Sequence, residues 1–160
     1  MLKETEQRLN EFGKLVVKLS RTNLTKGKHK SSGDLYKNLQ YDVSKDANGY
    51  TVIFEFPYYG EFLDKGVSGT KKKYDTPYKY KTKKPPYKTI LEWVKQKKLR
   101  FRDAKGKFKA GNYKSIAAIM QNSIYKKGIA PTLFFTKPFE KHFKNLPDEI
   151  VEGLTNDYKL

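Results

Sequence analysis

Residues 39–56 read LQYDVSKDANGYTVIFEF, and this stretch decides the fold. Leu39, Tyr41 and Val43 alternate with polar neighbours; after Asp46-Ala47-Asn48-Gly49, Tyr50, Val52, Phe54 and Phe56 alternate with Thr51, Ile53 and Glu55. A period of two puts each set on one face of a strand. Asn-Gly tolerates the positive φ of tight turns, so the stretch predicts a β-hairpin with one well-buried face.

A two-stranded hairpin is marginal alone and needs a cover. Upstream, Leu9, Phe12, Val16, Leu19 and Asn23/Leu24 recur at three- and four-residue steps, predicting an amphipathic helix over 3–24. Gly13 weakens it by about 1 kcal/mol, less than the roughly 1.5–3 kcal/mol that each large side chain contributes on burial. Residues 25–34, TKGKHKSSGD, are polar and glycine-bearing and read as a mobile loop.

Downstream, Pro57 ends the second strand, and residues 58–66, YYGEFLDKG, read as a short helical turn closed by glycine. Residues 67–87, VSGTKKKYDTPYKYKTKKPPY, are too poor in aliphatic side chains for an ordinary connection. Loops beyond roughly 12–15 residues tend to be functional or disordered. The alternation of Tyr78, Tyr80 and Thr82 also fits a protruding hairpin.

Pro86 suits a helix start, with Ile90, Leu91, Trp93 and Val94 facing inward up to about Lys98. A basic loop, RFRDAKGKFKAG, leads to a helix near Asn112 whose stripe is Tyr113, Ile116, Ala117, Met120 and Ile124 and whose stop is Gly128. Residues 129–135 read as a third strand. A last helical region begins around Pro138, carries Phe139, Phe143, Leu146, Ile150 and Leu154, and is kinked or restarted at Pro147. The expectation is therefore an α+β fold, a single domain over 1–160. A small antiparallel sheet, the hairpin plus a third strand, packs against about four α-helices, with a long basic loop or protruding hairpin at 67–87.

Composition narrows the chemistry. The chain has no cysteine, which excludes disulfides, thiolate nucleophiles and Cys-based zinc sites. Residues 2–12, LKETEQRLNEF, lack an apolar signal-peptide core, and no later run resembles a membrane span, so neither membrane nor export is expected. His29 and His142 have no spaced carboxylate or second histidine. Glu55 and Glu61 are separated by a strand end and a turn, which fixes no acid–base geometry. Phosphate-cradling, dinucleotide, nucleophile-elbow and HExxH motifs are all missing, so nothing in the sequence supports an enzyme, a cofactor or a metal.

Net charge is +17, and its placement is uneven. From Lys65 to Lys114 there are 18 Lys and Arg against Asp75, Glu92 and Asp103, a net +15; the other 110 residues carry 16 basic and 14 acidic side chains, a net +2. Within that segment Lys71, Lys72, Lys73, Lys79, Lys81, Lys83 and Lys84 interleave with Tyr74, Tyr78, Tyr80 and Tyr87. Lysines with stacking rings suit a polyanion. Three readings stay open: a solvated lysine-rich surface, an acidic protein partner, or non-specific contact with DNA. Arginine, the usual base reader, is scarce there, which disfavours sequence-specific readout.

Taken in order, several segments resemble the neck, or tail-completion, proteins of long-tailed bacteriophages, a group of head–tail connector subunits. Ser32-Gly33-Asp34-Leu35-Tyr36-Lys37-Asn38-Leu39 resembles "T/S-G-x-L-x-x-S" before the first strand. Pro57-Tyr58-Tyr59-Gly60-Glu61-Phe62-Leu63-Asp64-Lys65-Gly66 resembles "P-Y-A-x-x-[IVL]-E-x-G-T", with Gly60 in place of alanine and Asp64 in place of glutamate. Ile90-Leu91-Glu92-Trp93-Val94 resembles "I-x-x-W-[IV]", and the run from Ile116 through Ile124 to Gly128 resembles "A-x-x-I-x-x-x-I-x-x-x-G". The stretch from Pro131 to Pro138 resembles "P-x-F-[LM]-x-P". The family's short basic loop is here enlarged.

The resemblance implies a structural virion protein at the head–tail junction, made in the host cytoplasm. It implies a homo-oligomeric ring, hexameric or dodecameric, between connector or portal-side proteins and the tail-tube or tail-terminator proteins, helping to seal or guide DNA passage. Tyr58, Tyr59, Glu61, Phe62 and Asp64 are then ring-interface candidates, and the seven lysines a partner or DNA contact. The alternative is a small basic nucleic-acid-binding protein.

Overall fold

A computed structural model describes residues 3–29, 32–109 and 111–158. In chain order its elements are α1 (Lys3–Lys26), α2 (Asp34–Asn38), β1 (Gln40–Asp46), β2 (Gly49–Glu55), α3 (Tyr59–Lys65), β3 (Val67–Ser68) and α4 (Tyr87–Gln96). There follow β4 (Phe101–Arg102), β5 (Phe108–Lys109), α5 (Tyr113–Lys127), β6 (Gly128–Ile129), α6 (Thr136–Phe143) and α7 (Leu146–Asp157). The fold mixes helix with small antiparallel two-stranded sheets. It groups into two compact units: the described residues up to Gly60 with those from Leu133 onward, and Glu61–Thr132.

In the first unit the apolar stripe of α1 is the floor on which everything else is laid. Leu9, Phe12 and Val16 are buried with Leu146 of α7, and Val43, Val52, Phe54, Phe139 and Ile150 pack against them. Phe12 meets Phe54 edge-on at 6.0 Å between ring centroids and Phe139 at 5.9 Å, geometries that suit the aromatic quadrupole. The hairpin pairs Gln40 with Glu55 and Val43 with Val52, so the predicted alternation lies on one face, although that face is half-buried.

Its turn differs from the expected Asn-Gly centre. Ala47 and Asn48 form the loop while Gly49, at φ 139°, opens β2; the Asp46 carboxylate accepts from the amides of Asn48 (2.7 Å) and Gly49 (3.1 Å). The positive φ of the turn falls at Gly49, and the Asp46 carboxylate bonds its own turn.

The predicted helix over 3–24 is α1, two residues longer. Of the expected loop at 25–34, Lys30 and Ser31 lie outside the described residues, and Asp34 already begins α2. Asp157 of α7 caps α1 from the far end of the chain. Its carboxylate accepts from the Glu4 and Thr5 amides and the Thr5 hydroxyl, each at 2.9 Å, satisfying donors that a helix start leaves open. Arg8 adds an ion pair to Glu152 at 3.2 Å. At the other end, the Arg21 guanidinium donates to the Leu39 carbonyl (2.9 Å) and Asn23 to the Phe134 carbonyl (3.1 Å). The last helical region splits into α6 and α7 at Lys144–Asn145, with Pro147 in the first turn of α7, where its missing N–H costs nothing.

The second unit packs α4 on α5. Ile90 and Val94 close on Ile116 and Ala117, flanked by Leu91, Trp93, Phe101 and Met120. Asn112 caps α5 by accepting from the Ser115 amide at 2.8 Å, as its position before the apolar stripe suggests. The basic stretch after α4, read as a loop, forms the small hairpin β4–β5; Ala110 at its end lies outside the described residues.

The expected third strand is a correction. Only Gly128–Ile129 of that region is extended in a ladder, and it pairs with Val67–Ser68, not with the hairpin. Pro131 lacks the N–H to continue the ladder, and Leu133 turns the chain at φ 51°.

Gly13 tests the packing of α1. A Cβ there would run into the ring of Tyr41, so the glycine lets helix and hairpin approach closely. Helix propensity alone would make Gly13→Ala stabilising by about 1 kcal/mol. The steric conflict should reverse that sign, lowering stability by about 1–3 kcal/mol in urea unfolding. A more stable variant would show that the Tyr41 ring does not press on α1.

Candidate functional site

Charge divides between the two units as unevenly as along the sequence. Glu61–Thr132 holds 20 Lys and Arg against Glu61, Asp64, Asp75, Glu92 and Asp103, a net +15; the remaining residues hold 14 against 12, a net +2. Three of those five acids are engaged within the unit. Glu61 pairs with Lys65 at 2.8 Å, Asp64 is buried at 3% exposure, and Asp103 accepts from the amides of Lys105 and Lys107 at 2.9 Å each. The excess of positive charge is thus presented to solvent.

The lysine–tyrosine segment does not project as a hairpin. It folds back on Ser68, whose amide donates to the Tyr78 carbonyl and whose carbonyl accepts from Tyr80, making a parallel bridge with Lys79. The Ser68 hydroxyl bonds the amide of Tyr74 at 2.9 Å, and Phe62 meets Tyr78 edge-on at 4.6 Å. Beyond it, Tyr125 donates to the Lys81 carbonyl (2.6 Å) and Gln121 to the Pro85 carbonyl (2.7 Å), so α5 pins the segment along its length.

This backbone geometry fixes where the cations lie. The amides of Lys71 and Lys72 donate to the Lys126 carbonyl at 2.9 and 3.2 Å, which sets Lys71, Lys72 and Lys73 beside Lys126 and Lys127 at the C-terminal end of α5. The helix dipole favours positive charge there. Lys73 donates to the Gly69 carbonyl at 2.9 Å, and Lys72 lies 5.1 Å from the Tyr74 ring centroid. Lys84 donates to Asn122 (2.7 Å) and stands 6.0 Å from the Tyr125 ring, while Lys79, Lys81 and Lys83 are exposed. Sequence reasoning grouped the seven lysines but missed Lys126 and Lys127, which join the cluster only through that backbone pairing.

It also missed a second cationic feature, the β4–β5 hairpin. Phe108 is 62% exposed, and the guanidinium carbons of Arg102 and Arg100 stand 4.4 and 5.9 Å from its ring centroid. Arg102 also donates to the Gly106 carbonyl at 3.0 Å. An exposed ring under two guanidinium groups, with Lys105, Lys107 and Lys109 beside it, presents cation and π-face together. The alternation was hidden because the strands are two residues each.

The ring-interface candidates part company. Tyr58 is 72% exposed and Tyr59 47%, the latter donating to Asp34 at 2.8 Å. Glu61 and Phe62 are half-buried, and Asp64 offers almost no surface. Bonds from Lys65 first, then from Tyr78, lower the Glu61 pKa. Glu55 accepts from Gln40 across the hairpin at 2.9 Å, a local surface bond. Among the described residues no group of three or more His, Cys, Asp or Glu is placed to hold a metal ion, and no helix is long and apolar enough to cross a membrane. No protein-family model, curated protein or solved structure matches the chain.

Burial, then the bond to Asp34, pushes the Tyr59 phenol up to about 12. The folded state therefore favours the neutral phenol. Its contribution to stability is complete below the ordinary tyrosine pKa of about 10 and lost as pH rises through the folded value. An ultraviolet titration should show one phenol ionising near pH 12, and Tyr59→Phe should remove that step. An unchanged titration curve would contradict the Tyr59–Asp34 bond.

Proposed function

We propose that the chain is a non-enzymatic subunit of a tailed-bacteriophage neck. Copies stand in a homo-oligomeric ring between connector or portal-side proteins and the tail. Support comes from the ordered resemblance of five segments to neck proteins. The observation that carries the reading is a division of charge: the second unit holds a net +15 on a backbone pinned to α5 and the first a net +2, while both expose apolar side chains, Tyr58, Phe143 and Val151 in the first and Phe108 and Ile119 in the second. Exposed apolar side chains suit protein contacts, and unneutralised charge suits an acidic ring or the DNA that passes it. In this reading Tyr58 and Tyr59 remain ring-contact candidates, and Asp64 serves the interior of its own unit.

A second reading, a small basic nucleic-acid-binding protein, is favoured by the Arg100–Arg102–Phe108 arrangement. The two separate on one set of variants. Lys71→Glu, Lys72→Glu and Lys73→Glu together should block joining to connector or tail proteins, seen by electron microscopy, if the lysines dock on protein. If they face DNA within the particle, assembly should proceed and DNA retention fail. For a free nucleic-acid binder, affinity for any duplex should fall with salt at a log–log slope of about −0.9 per phosphate contacted. A chain that stays monomeric with connector and tail proteins, and is absent from particles, sinks the neck reading.

A further inference from the structure

The β4–β5 hairpin carries the most exposed ring among the described residues of the second unit, and its ladder decides what stands beside that ring. Phe101 pairs with Lys109 and Arg102 with Phe108, so Arg102 and Phe108 are cross-strand neighbours on one face while Phe101 belongs to the other. Phe101 packs on the α4–α5 core, and Gly111 approaches it so closely that a Cβ there would stand 2.6 Å from its ring. That contact anchors the hairpin and leaves its opposite face to solvent: Arg100 and Arg102 are exposed, and so is Phe108, at 62%.

Two features separate this face from a solvated basic loop. Its one acid is committed to the turn: the Asp103 carboxylate accepts from the amides of Lys105 and Lys107, and its carbonyl from the Gly106 amide, so the turn is built without help from Phe108. Its ring is also not spent on packing. In the lysine–tyrosine segment Tyr78 meets Phe62 at 4.6 Å and Tyr80 lies 6.3 Å from Tyr125, so that segment offers charge and little open π-face. Phe108 instead has the guanidinium carbon of Arg102 at 4.4 Å and that of Arg100 at 5.9 Å, and the rest of its ring faces water.

We infer that this hairpin binds single-stranded nucleic acid, with one unpaired base stacked on Phe108 and the flanking phosphates held by Arg100 and Arg102. A single strand presents anionic oxygens and bare planar rings side by side, the complement of guanidinium groups beside an open π-face. A duplex keeps its bases stacked on one another, and a side chain that wedges between them needs both ring faces, one of which Arg102 covers. An acidic peptide supplies the charge without the planar ring. Arg102 spends one nitrogen on the Gly106 carbonyl and keeps the other donors of its fork for phosphate. Stacking reads no base edge, so binding is tolerant of sequence. The inference rests on the nucleic-acid reading of this hairpin, not on ring formation, and adds the state of the strand.

Fluorescence anisotropy of the full chain tests it, with a labelled oligothymidylate of about 12 nucleotides, inside the range that one single-strand module covers, compared with a duplex and a polyglutamate of matching length. The oligothymidylate should bind tightest. Phe108→Ala should weaken it about five- to hundredfold while leaving duplex affinity and the salt dependence unchanged, and Phe108→Trp should restore it. Arg100→Ala should instead flatten the log–log salt slope by about 0.7, the share of one phosphate contact. Phe108 lies outside the α4–α5 core, so circular dichroism should show Phe108→Ala folded as the native chain is. If Phe108→Ala binds the oligothymidylate undiminished, or loses the duplex equally, the stacking site is overturned and the wider nucleic-acid reading stands. Binding to neither nucleic acid overturns both. Polyglutamate held as tightly as the oligothymidylate makes the surface a protein contact, and the proposal falls.

Discussion

The structure depends on keeping one long helix from fraying. Twenty-four residues of α1 carry a single apolar stripe, and an amphipathic helix in water gains most of its stability from what covers that stripe. Three separate pieces of chain provide the cover: the hairpin, α6 and α7. The helix start, where four amides lack partners, is closed by Asp157 through three bonds. Burial opposes ionisation of that carboxyl, but the amides of Thr5 and Glu4 and the Thr5 hydroxyl outweigh it and hold its pKa below the usual value. The clamp is therefore strongest above the ordinary aspartate pKa and weakens as pH falls through the lowered one.

The second unit meets a different problem. Its positive charges repel one another and favour expansion, and its buried apolar set is small: Ile90, Val94, Ile116 and Ala117 form the centre. Backbone bonds from Ser68 and from the end of α5 hold the lysine–tyrosine segment where aliphatic packing is thin. A bound polyanion would relieve the repulsion, so ligand and fold are linked: whatever neutralises this unit also stabilises it.

Sequence reading succeeded where a period ran long enough to average over local exceptions. Leu9, Phe12 and Val16 announced α1, the alternation from Leu39 to Phe56 announced the hairpin, and Ile116 with Met120 and Ile124 announced α5. It failed on elements only a few residues long: α2 and the β4–β5 hairpin contain too few residues for periodicity to register. The third strand failed for another reason. Gly128–Ile129 had two possible partners, and nothing local distinguishes Val67–Ser68 from the hairpin edge. For the candidate site, the excess charge and the seven lysines were legible from composition. The neighbours Lys126 and Lys127 and the Asp157–Thr5 bond, 152 positions apart, depend on tertiary pairing that no spacing rule encodes.

The clamp at Asp157 also sets an order of events during synthesis. Glu61–Thr132 is one uninterrupted run, so the second unit has all its parts once Thr132 leaves the ribosome. The first unit does not: α1 precedes the second unit, yet half of its cover and its cap follow it. The nascent helix therefore waits with part of its apolar stripe covered only by the hairpin until α6 and α7 follow, an interval in which exposed apolar surface favours aggregation. Maturation of the first unit waits on α7, and premature termination anywhere before α7 would strand it open.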